Sequence, residues 1–208
     1  MFDKNIKNII FDFDGVILDS VPLKTEAFRK LFNSYPKDKV EKLIEYHMKN
    51  GGISRFVKIK HFFENILNEH ISDTEIKNYA DRYSQLTKEE LTNSKYIIND
   101  AVDFIKQNHK KYNMHIASGA DKNDLRYICE KLELTQYFLT INGSPNKKRE
   151  IVKNILDLNN YKKDETILIG DSVNDYEAAN ENGIEFYGYN NVDLNTNNNI
   201  KSFNAFKK

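Results

Sequence analysis

The sequence predicts an α/β fold in which a parallel sheet core is interrupted near its start by a helical insertion. Short apolar runs alternate with helical patterns after Leu91, and the stretch from Pro22 to about Leu91 is almost wholly helical. The 208 residues are enough for one large domain, or for a core with a modest insertion. We therefore expect residues 1–19 and 92–208 to form the core and residues 20–91 to form the helical insertion.

The apolar runs give the expected order of the strands. The β-branched run Ile6–Phe11 ends abruptly at acidic residues and a glycine, as a buried strand does where it meets a loop. Further strands are expected at Met114–Ala117, Tyr137–Ile141, Thr166–Ile169 and Ile184–Tyr189. Helical patterns lie between them, around residues 101–105, 125–132, 151–158 and 176–182. This alternation indicates a Rossmann-like parallel sheet with right-handed crossovers.

Two segments are expected to lack regular structure. Asn50-Gly51-Gly52 interrupts the helical insertion and predicts a turn. The asparagine-rich segment Asn190–Asn199 predicts a loop, after which Ile200–Phe206 is expected to return to the body of the protein.

Composition and charge favour a soluble globular protein that does not bind nucleic acid. Apolar residues make up 39% of the chain and charged residues 30%. Lysine plus arginine and aspartate plus glutamate both total 31, so the formal net charge is zero. Proteins that bind nucleic acid through phosphate contacts usually have a basic excess or a basic stripe, and the sequence has neither.

The remaining composition predicts a cytoplasmic protein. Cys129 is the only cysteine, so no intramolecular disulfide can form, which suits a reducing compartment. No apolar run reaches the length of a membrane span, and the run at residues 9–13 is too short for the apolar region of a signal peptide. The sequence leaves the oligomeric state open.

Polar residues follow three of the predicted strands at the point where each strand ends. They are Asp12 and Asp14, Ser118 and Gly119, and Asp171 followed by Asp175. Because ligands in open parallel sheets bind beyond the carboxyl ends of the strands, we expect these residues to lie close together. Clustered carboxylates repel each other unless a hard cation compensates them, and Mg²⁺ prefers oxygen ligands. The pattern predicts phosphoryl chemistry with one acid as nucleophile and another as proton shuttle.

The segments that carry these acids resemble the signatures of the haloacid dehalogenase superfamily, whose members are mostly phosphatases. The first is Asp12-Phe13-Asp14-Gly15-Val16-Ile17-Leu18-Asp19-Ser20, and the last is Gly170-Asp171-Ser172-Val173-Asn174-Asp175. Ser118 and a lysine before the fourth strand lie between them in the family's order. The helical insertion is similar to the family's cap, so the resemblance covers nearly the whole chain.

The resemblance implies a role for each acid. Asp12 would attack phosphorus and become an aspartyl-phosphate, and Asp14 would protonate the leaving oxygen and then deprotonate water. Mg²⁺ would be held by Asp12, Asp171 and the backbone carbonyl of Asp14, with Asp175 supporting the metal or the lysine. Dehalogenases of this fold lack an acid at the position of Asp14, because a halide needs no proton. Asp14 therefore favours phosphate esters.

The resemblance also implies which residues bind phosphate. Ser118 and Gly119 would contact the transferring phosphoryl group. The Gly-Ser-Pro-x-x-Lys pattern of relatives favours Lys148 as the phosphate-binding lysine, and the adjacent Lys147 remains an alternative. In sugar-phosphate mutases that resemble this chain, an arginine at the position of Arg55 binds the distal phosphate of the substrate, so Arg55 is a candidate for a second anionic group.

The expected function is a phosphatase for a small phosphorylated metabolite, either a sugar phosphate or an organic acid phosphate. Those mutases carry a histidine where this chain has Lys24, which favours a phosphatase. A phosphosugar mutase using the same intermediate is the first alternative. The second is a non-catalytic binding module that keeps the fold, against which the presence of both Asp12 and Asp14 argues.

Overall fold

The computed structural model describes residues 2, 5–191, 194 and 198–206. A six-stranded sheet has the order β3-β2-β1-β4-β5-β6, and every neighbouring pair is parallel. The strands are β1 Asn8–Phe11, β2 Asn113–Asp121, β3 Thr140–Ser144, β4 Thr166–Gly170, β5 Glu185–Tyr189 and β6 Asn199–Ile200. The predicted α/β fold with a Rossmann-like parallel sheet is confirmed.

Helices occur both between the strands and within the insertion. They are α1 Val21–Leu31, α2 Lys37–Lys49, α3 Arg55–His61, α4 Asp73–Thr87, α5 Asn99–Asn108, α6 Lys122–Lys131, α7 Lys148–Asn159 and α8 Val173–Asn182. A π-helical segment, Phe62–Leu67, extends α3, and residues 50–52 form the predicted turn between α2 and α3. None of the helices within the described residues is both long enough and apolar enough to cross a membrane.

The central strand β1 is buried on both faces, so its side chains alternate between two apolar clusters. Ile9 and Phe11 pack on one side with residues of α5 and α6. Ile10 packs on the other side with residues of α7 and α8. Each buried side chain of this size contributes about 1.5–3 kcal/mol through burial. Because helices cover both faces of the strand, Ile9, Ile10 and Phe11 are all apolar instead of alternating with polar residues.

The helical insertion has an apolar cluster of its own. Most of its members come from α1–α4 and the π-helical segment, among them Phe28, Leu43, Phe62 and Tyr83, and Phe32 joins them directly after α1. Sets of helices that bury their own apolar faces are typical of a separate folding unit. The boundary at residues 20–91 stays a prediction, which this cluster supports.

The predicted strand Tyr137–Ile141 is displaced in the structure. Thr135–Tyr137 forms a 3₁₀ turn, and β3 begins at Thr140. The apolar run marks the approach to the strand, because Phe138 packs into the core before pairing with β2 begins. The strand β2 is longer than predicted, with an irregular register between Ala117 and Asp121.

The end of the chain adds an edge strand that the sequence analysis did not predict. The strand β6, Asn199–Ile200, pairs with β5, and a 3₁₀ turn at Phe203–Phe206 packs on α5. Residues 192, 193 and 195–197 of the expected loop lie outside the described residues.

Candidate active site

Three carboxylates converge at the carboxyl edge of the sheet. Asp12 directly follows β1, Asp171 directly follows β4, and Asp175 lies in the first turn of α8. One ligand oxygen from each lies within 4.8 Å of the others. Asp12 is 2% exposed and Asp175 is fully buried. The sequence prediction that these three acids lie close together is borne out by this geometry.

Gly15 allows the loop after β1 to fold against the loop after β4. Its φ is +77°, and a Cβ atom at this position would lie 2.0 Å from the carboxylate oxygen Oδ2 of Asp171. The backbone conformation and the close approach both require glycine. The glycine of the first signature therefore positions the acid of the last signature.

Lys148, and not Lys147, reaches the carboxylates. The Nζ atom of Lys148 lies 3.0 Å from Oδ2 of Asp12, and it also donates a hydrogen bond to Oδ1 of Asp175. Lys147 is the N-cap residue of α7, where its backbone N–H donates to Glu150. Phosphate binding by Lys148 stays a prediction, and its position beside Asp12 supports it.

Asp175 combines two contacts. Its Oδ2 accepts hydrogen bonds from the backbone N–H of Ser172 at 3.1 Å and from the Ser172 hydroxyl at 2.6 Å, which caps α8. Its Oδ1 accepts from Lys148. These contacts fit the lysine-supporting role that the resemblance implied for Asp175.

The carboxylate cluster carries more negative charge than Lys148 compensates. Burial, and then the charge of Asp175, hold the pKa of Asp12 well above its usual range, although Lys148 acts in the opposite direction. Burial and Asp175 likewise raise the pKa of Asp171 to about 7. Buried oxygen ligands with uncompensated charge fit a divalent cation. Asp12, Asp171 and Asp175 are the residues that could hold it.

Asp14 faces the helical insertion and does not belong to this group of three. Its carboxylate accepts hydrogen bonds from the Ser20 hydroxyl and from Nζ of Lys24, the latter at 2.5 Å. Burial would raise the pKa of Asp14, but the charge and hydrogen bond of Lys24 outweigh burial and lower it. Lys24 belongs to α1, so a residue of the insertion keeps a core carboxylate ionised.

Ser118 and Gly119 lie where β2 reaches the cleft. Ser118 is fully buried, and its hydroxyl accepts a hydrogen bond from the backbone N–H of Ala120 at 3.1 Å. The side chain of Asp121 caps α6, so Ser118 is not needed there. The predicted phosphate contacts of Ser118 and Gly119 stay predictions.

A cavity of about 240 Å³ separates the helical insertion from the edge of the sheet. Asp14, Gly119 and Asp171 line it from the core. Lys24, His47, Arg55 and Lys58 line it from the insertion. Acids therefore line the wall formed by the core, and basic residues, which attract anions, line the wall formed by the insertion.

Arg55 binds two carboxylates of the core. Its Nη1 atom lies 2.6 Å from Oδ2 of Asp124, and its Nη2 atom lies 3.6 Å from Oδ2 of Asp121. The Ser84 hydroxyl donates to the same Asp124 oxygen at 2.6 Å. Substrate binding by Arg55 stays a prediction. In this structure the guanidinium joins the insertion to the core.

The sequence analysis missed two residues of the cavity wall, Lys58 and His47. Nζ of Lys58 lies 2.8 Å from Nδ1 of His47, and both residues are buried. His47 lies with Val40, Leu43 and Ile44 on the buried face of α2, where the sequence pattern indicates a structural residue. Lys58 lies three residues after Arg55 on the same helix face, which is a signal that could have drawn attention to it.

Comparisons with known proteins agree with this geometry. The family model described as haloacid dehalogenase-like hydrolase matches residues 9–189. A phosphorylated carbohydrates phosphatase of Thermotoga maritima is 28% identical over 191 residues, covering 86% of this chain and 83% of that protein. A phosphoglycolate phosphatase of Vibrio parahaemolyticus is 26% identical over 198 residues, covering 90% and 85% respectively. The crystal structure of a β-phosphoglucomutase from Clostridium difficile shares the fold, with a TM-score of 0.77 at 22% identity, covering 97% of this chain and 93% of that one.

Proposed function

This chain belongs to the haloacid dehalogenase-like hydrolases, and we propose that it is a Mg²⁺-dependent phosphatase acting through an aspartyl-phosphate on Asp12. The observation that carries the proposal is the position of Asp12. It is buried, it lies 3.0 Å from the Lys148 ammonium, and its oxygen is within 4.8 Å of those of Asp171 and Asp175. A cationic group and acidic metal ligands around one carboxylate are what phosphoryl transfer to that carboxylate needs.

The proposed reaction has two steps. An oxygen of Asp12 attacks phosphorus, and the bond to the ester oxygen breaks as Asp14 gives that oxygen a proton, so Asp14 must be protonated and released from its ion pair with Lys24 before this step. Asp14 then takes a proton from water, and the water oxygen attacks phosphorus to release inorganic phosphate and restore Asp12. Lys148 and Ser118 bind the transferring group throughout, together with the backbone at Gly119.

Mg²⁺ fits the carboxylate cluster because the donors are all oxygens. Asp12, Asp171 and the backbone carbonyl of Asp14 would hold it, while Asp175 mainly holds Lys148. Bound there, the ion would neutralise charge on the phosphoryl oxygens. The raised pKa values of Asp12 and Asp171 support the fit, because burial and then the charge of Asp175 disfavour the ionised carboxylates, and a bound cation would offset both effects.

We propose that the helical insertion, residues 20–91, acts as a cap over this site. Two contacts between the insertion and the core support it: Lys24 on Asp14, and Arg55 on Asp124. Closing the insertion over the cleft would exclude bulk water from the intermediate. The substrate is a small phosphorylated metabolite, in keeping with the names of the two relatives, which are phosphatases of phosphorylated carbohydrates and of phosphoglycolate.

A phosphosugar mutase remains the alternative function. The likeness to the β-phosphoglucomutase structure shows that the two proteins share a fold, and it carries no evidence of a shared activity. Lys24 favours hydrolysis, because it occupies the position where the resembling mutases have histidine. Formation of an isomer without release of phosphate would identify a mutase. The expected cytoplasmic location stays a prediction.

The test measures phosphate release from an aryl phosphate and from small phosphorylated metabolites, with Mg²⁺ or with chelator. Asp12→Asn should abolish release, and Asp19→Asn should not, because Asp19 is an exposed acid of the same segment. Rapid quenching followed by mass spectrometry should find one phosphoryl group on the peptide containing Asp12. Phosphate release that survives chelation and Asp12→Asn would refute the proposal. A wild type that turns over no ester would favour the non-catalytic module.

A further inference from the structure

Two lysines are buried within the part of the chain that the structure describes, and their surroundings differ. Lys148 contacts the carboxylates of Asp12 and Asp175. Lys58 is 4% exposed and has no carboxylate within ion-pair distance among the described residues. Burying an ammonium without a counter-ion is costly. Burial, and then the charge of Lys24, therefore lower the pKa of Lys58 to about 7.

Within the described residues, the hydrogen bonds of the Lys58 side chain all run to one residue. Its Nζ atom lies 2.8 Å from Nδ1 of His47 and 3.4 Å from the backbone oxygen of His47. A protonated lysine can only donate, so Nδ1 accepts and the neutral ring carries its proton on Nε2. That Nε2 atom is buried and has no partner within the described residues. His47 is 8% exposed. The pair therefore offers one ammonium and one unsatisfied N–H.

Three other cations line the same cavity, and one of them, Lys49, is exposed to solvent, so its ammonium needs no counter-ion. The other two already have carboxylate partners. Arg55 is bound by Asp121 and Asp124, and Lys24 is bound by Asp14. An anion entering the cavity would compete with these carboxylates at either residue. At Lys58 it would instead supply the missing counter-ion and relieve the cost of burial. We therefore expect a second anionic group of a ligand to bind at Lys58 and not at Arg55.

We propose that Lys58 and His47 bind a carboxylate of the substrate, so that the natural substrate is a small phosphate monoester of a hydroxy acid. One uncompensated positive charge matches a carboxylate monoanion, and the two donors match its two oxygens. The cavity of about 240 Å³ suits a molecule of a few carbon atoms. This inference rests on the proposed function and assigns substrate selection to a pair that is separate from the carboxylate cluster.

The test compares two phosphate esters of similar size, one of which carries a carboxylate where the other carries a hydroxyl group. The wild type with Mg²⁺ is expected to have a higher kcat/KM for 2-phosphoglycolate than for 2-hydroxyethyl phosphate. Lys58→Met should lower that ratio about 10-fold to 100-fold, as expected for the loss of a charged hydrogen bond. His47→Phe should lower the same ratio of kcat/KM values. This second variant tests the proposal if Lys58→Met does not fold. Lys60→Met is the matched control, because Lys60 is exposed on the same helix and pairs with Glu64.

The possible failures can be told apart. A ratio that both variants leave unchanged, or that collapses only in Arg55→Met, would overturn the assignment to Lys58 and His47 while leaving the phosphatase intact. A wild type without preference for the carboxylate ester would overturn it as well. A wild type that hydrolyses neither ester nor an aryl phosphate would refute the proposed function itself, and this inference with it.

Discussion

The backbone oxygen of Gly52 lies so close to Gly119 that a Cβ atom at residue 119 would be 2.0 Å away from it. Gly52 belongs to the turn between α2 and α3, and Gly119 lies in β2. The neighbouring oxygen of Gly51 accepts a hydrogen bond from the side chain of Asn174 at 2.6 Å. This turn of the helical insertion therefore packs directly on the carboxyl edge of the sheet, and only glycine at residue 119 permits the contact.

Replacing Gly119 should separate the turn from the sheet. We expect Gly119→Ala to lower kcat/KM about 100-fold, since displacements of about 1 Å in a site have effects of this size. Steady-state kinetics would measure the loss, and thermal unfolding would confirm that the fold persists. Unchanged kinetics would mean that the insertion does not need this contact during turnover.

A divalent cation should stabilise the protein through Asp171. Magnesium at about 100 times its dissociation constant should raise the free energy of unfolding by about 2.7 kcal/mol, because it binds only the folded state. Asp171→Asn should abolish the increase, and Asp164→Asn, an exposed acid, should keep it. Thermal unfolding with Mg²⁺ and with chelator measures both. An equal shift in wild type and Asp171→Asn would place the ion elsewhere.

The two adjacent lysines should behave differently. Lys148→Met leaves Asp12 and Asp175 without their cation, and removing one partner of a buried pair typically costs about 3–5 kcal/mol. Lys147→Met removes only a side chain at the start of α7. Urea unfolding in the absence of metal should therefore show a large loss for the first variant alone, and phosphate release should fall with it. Similar effects of both variants would contradict the geometry described above.

Stability should fall in mild acid because of His115. Its ring is fully buried and contacts the Thr140 hydroxyl at 2.8 Å and the Tyr161 hydroxyl at 3.1 Å. Burial lowers the pKa of His115 to about 4, whereas the unfolded chain has the ordinary value of 6.5. Between these values the unfolded state binds more protons, so lowering the pH favours unfolding by up to about 1.4 kcal/mol per pH unit.

The measurement compares unfolding free energies at several pH values between 6.5 and 4. His115→Gln removes the titrating group, so its stability should depend less on pH than that of the wild type across this window. Taking the difference between the two proteins cancels the titration of the active-site acids. If the unfolding free energies of the wild type and of His115→Gln depend on pH in the same way, His115 has the same pKa in the folded and unfolded states and the prediction is wrong.

The acids of the site could be placed from the sequence because each follows a buried strand. The run Ile6–Phe11 ends at Asp12, and Thr166–Ile169 ends just before Asp171, so the parallel sheet brings both to one edge. The pattern of glycines and acids carried the family resemblance as well. The Gly-Ser-Pro-x-x-Lys pattern favours Lys148 over Lys147, and the structure brings the Lys148 ammonium beside Asp12.

The wall formed by the insertion could not be predicted in the same way. Helical periodicity tells which face of a helix is apolar, but the packing of one helix on another decides which polar groups meet. His47 lies on an apolar face, and only the approach of α3 brings Lys58 to its ring. Arg55 stood out in the sequence, yet Asp121 and Asp124, which bind it, lie far away along the chain.

The separate apolar clusters of the insertion and the sheet have an evolutionary consequence. Substitutions among Phe28, Phe32 and their neighbours change packing that β1 and β4 do not share. The stability effects of distant sites without common partners are nearly additive. Positions of the insertion that make no contact with the sheet can therefore change without disturbing Asp12, Asp171 and Asp175, so natural selection or laboratory evolution could reshape this part of the molecule while those carboxylates keep their arrangement.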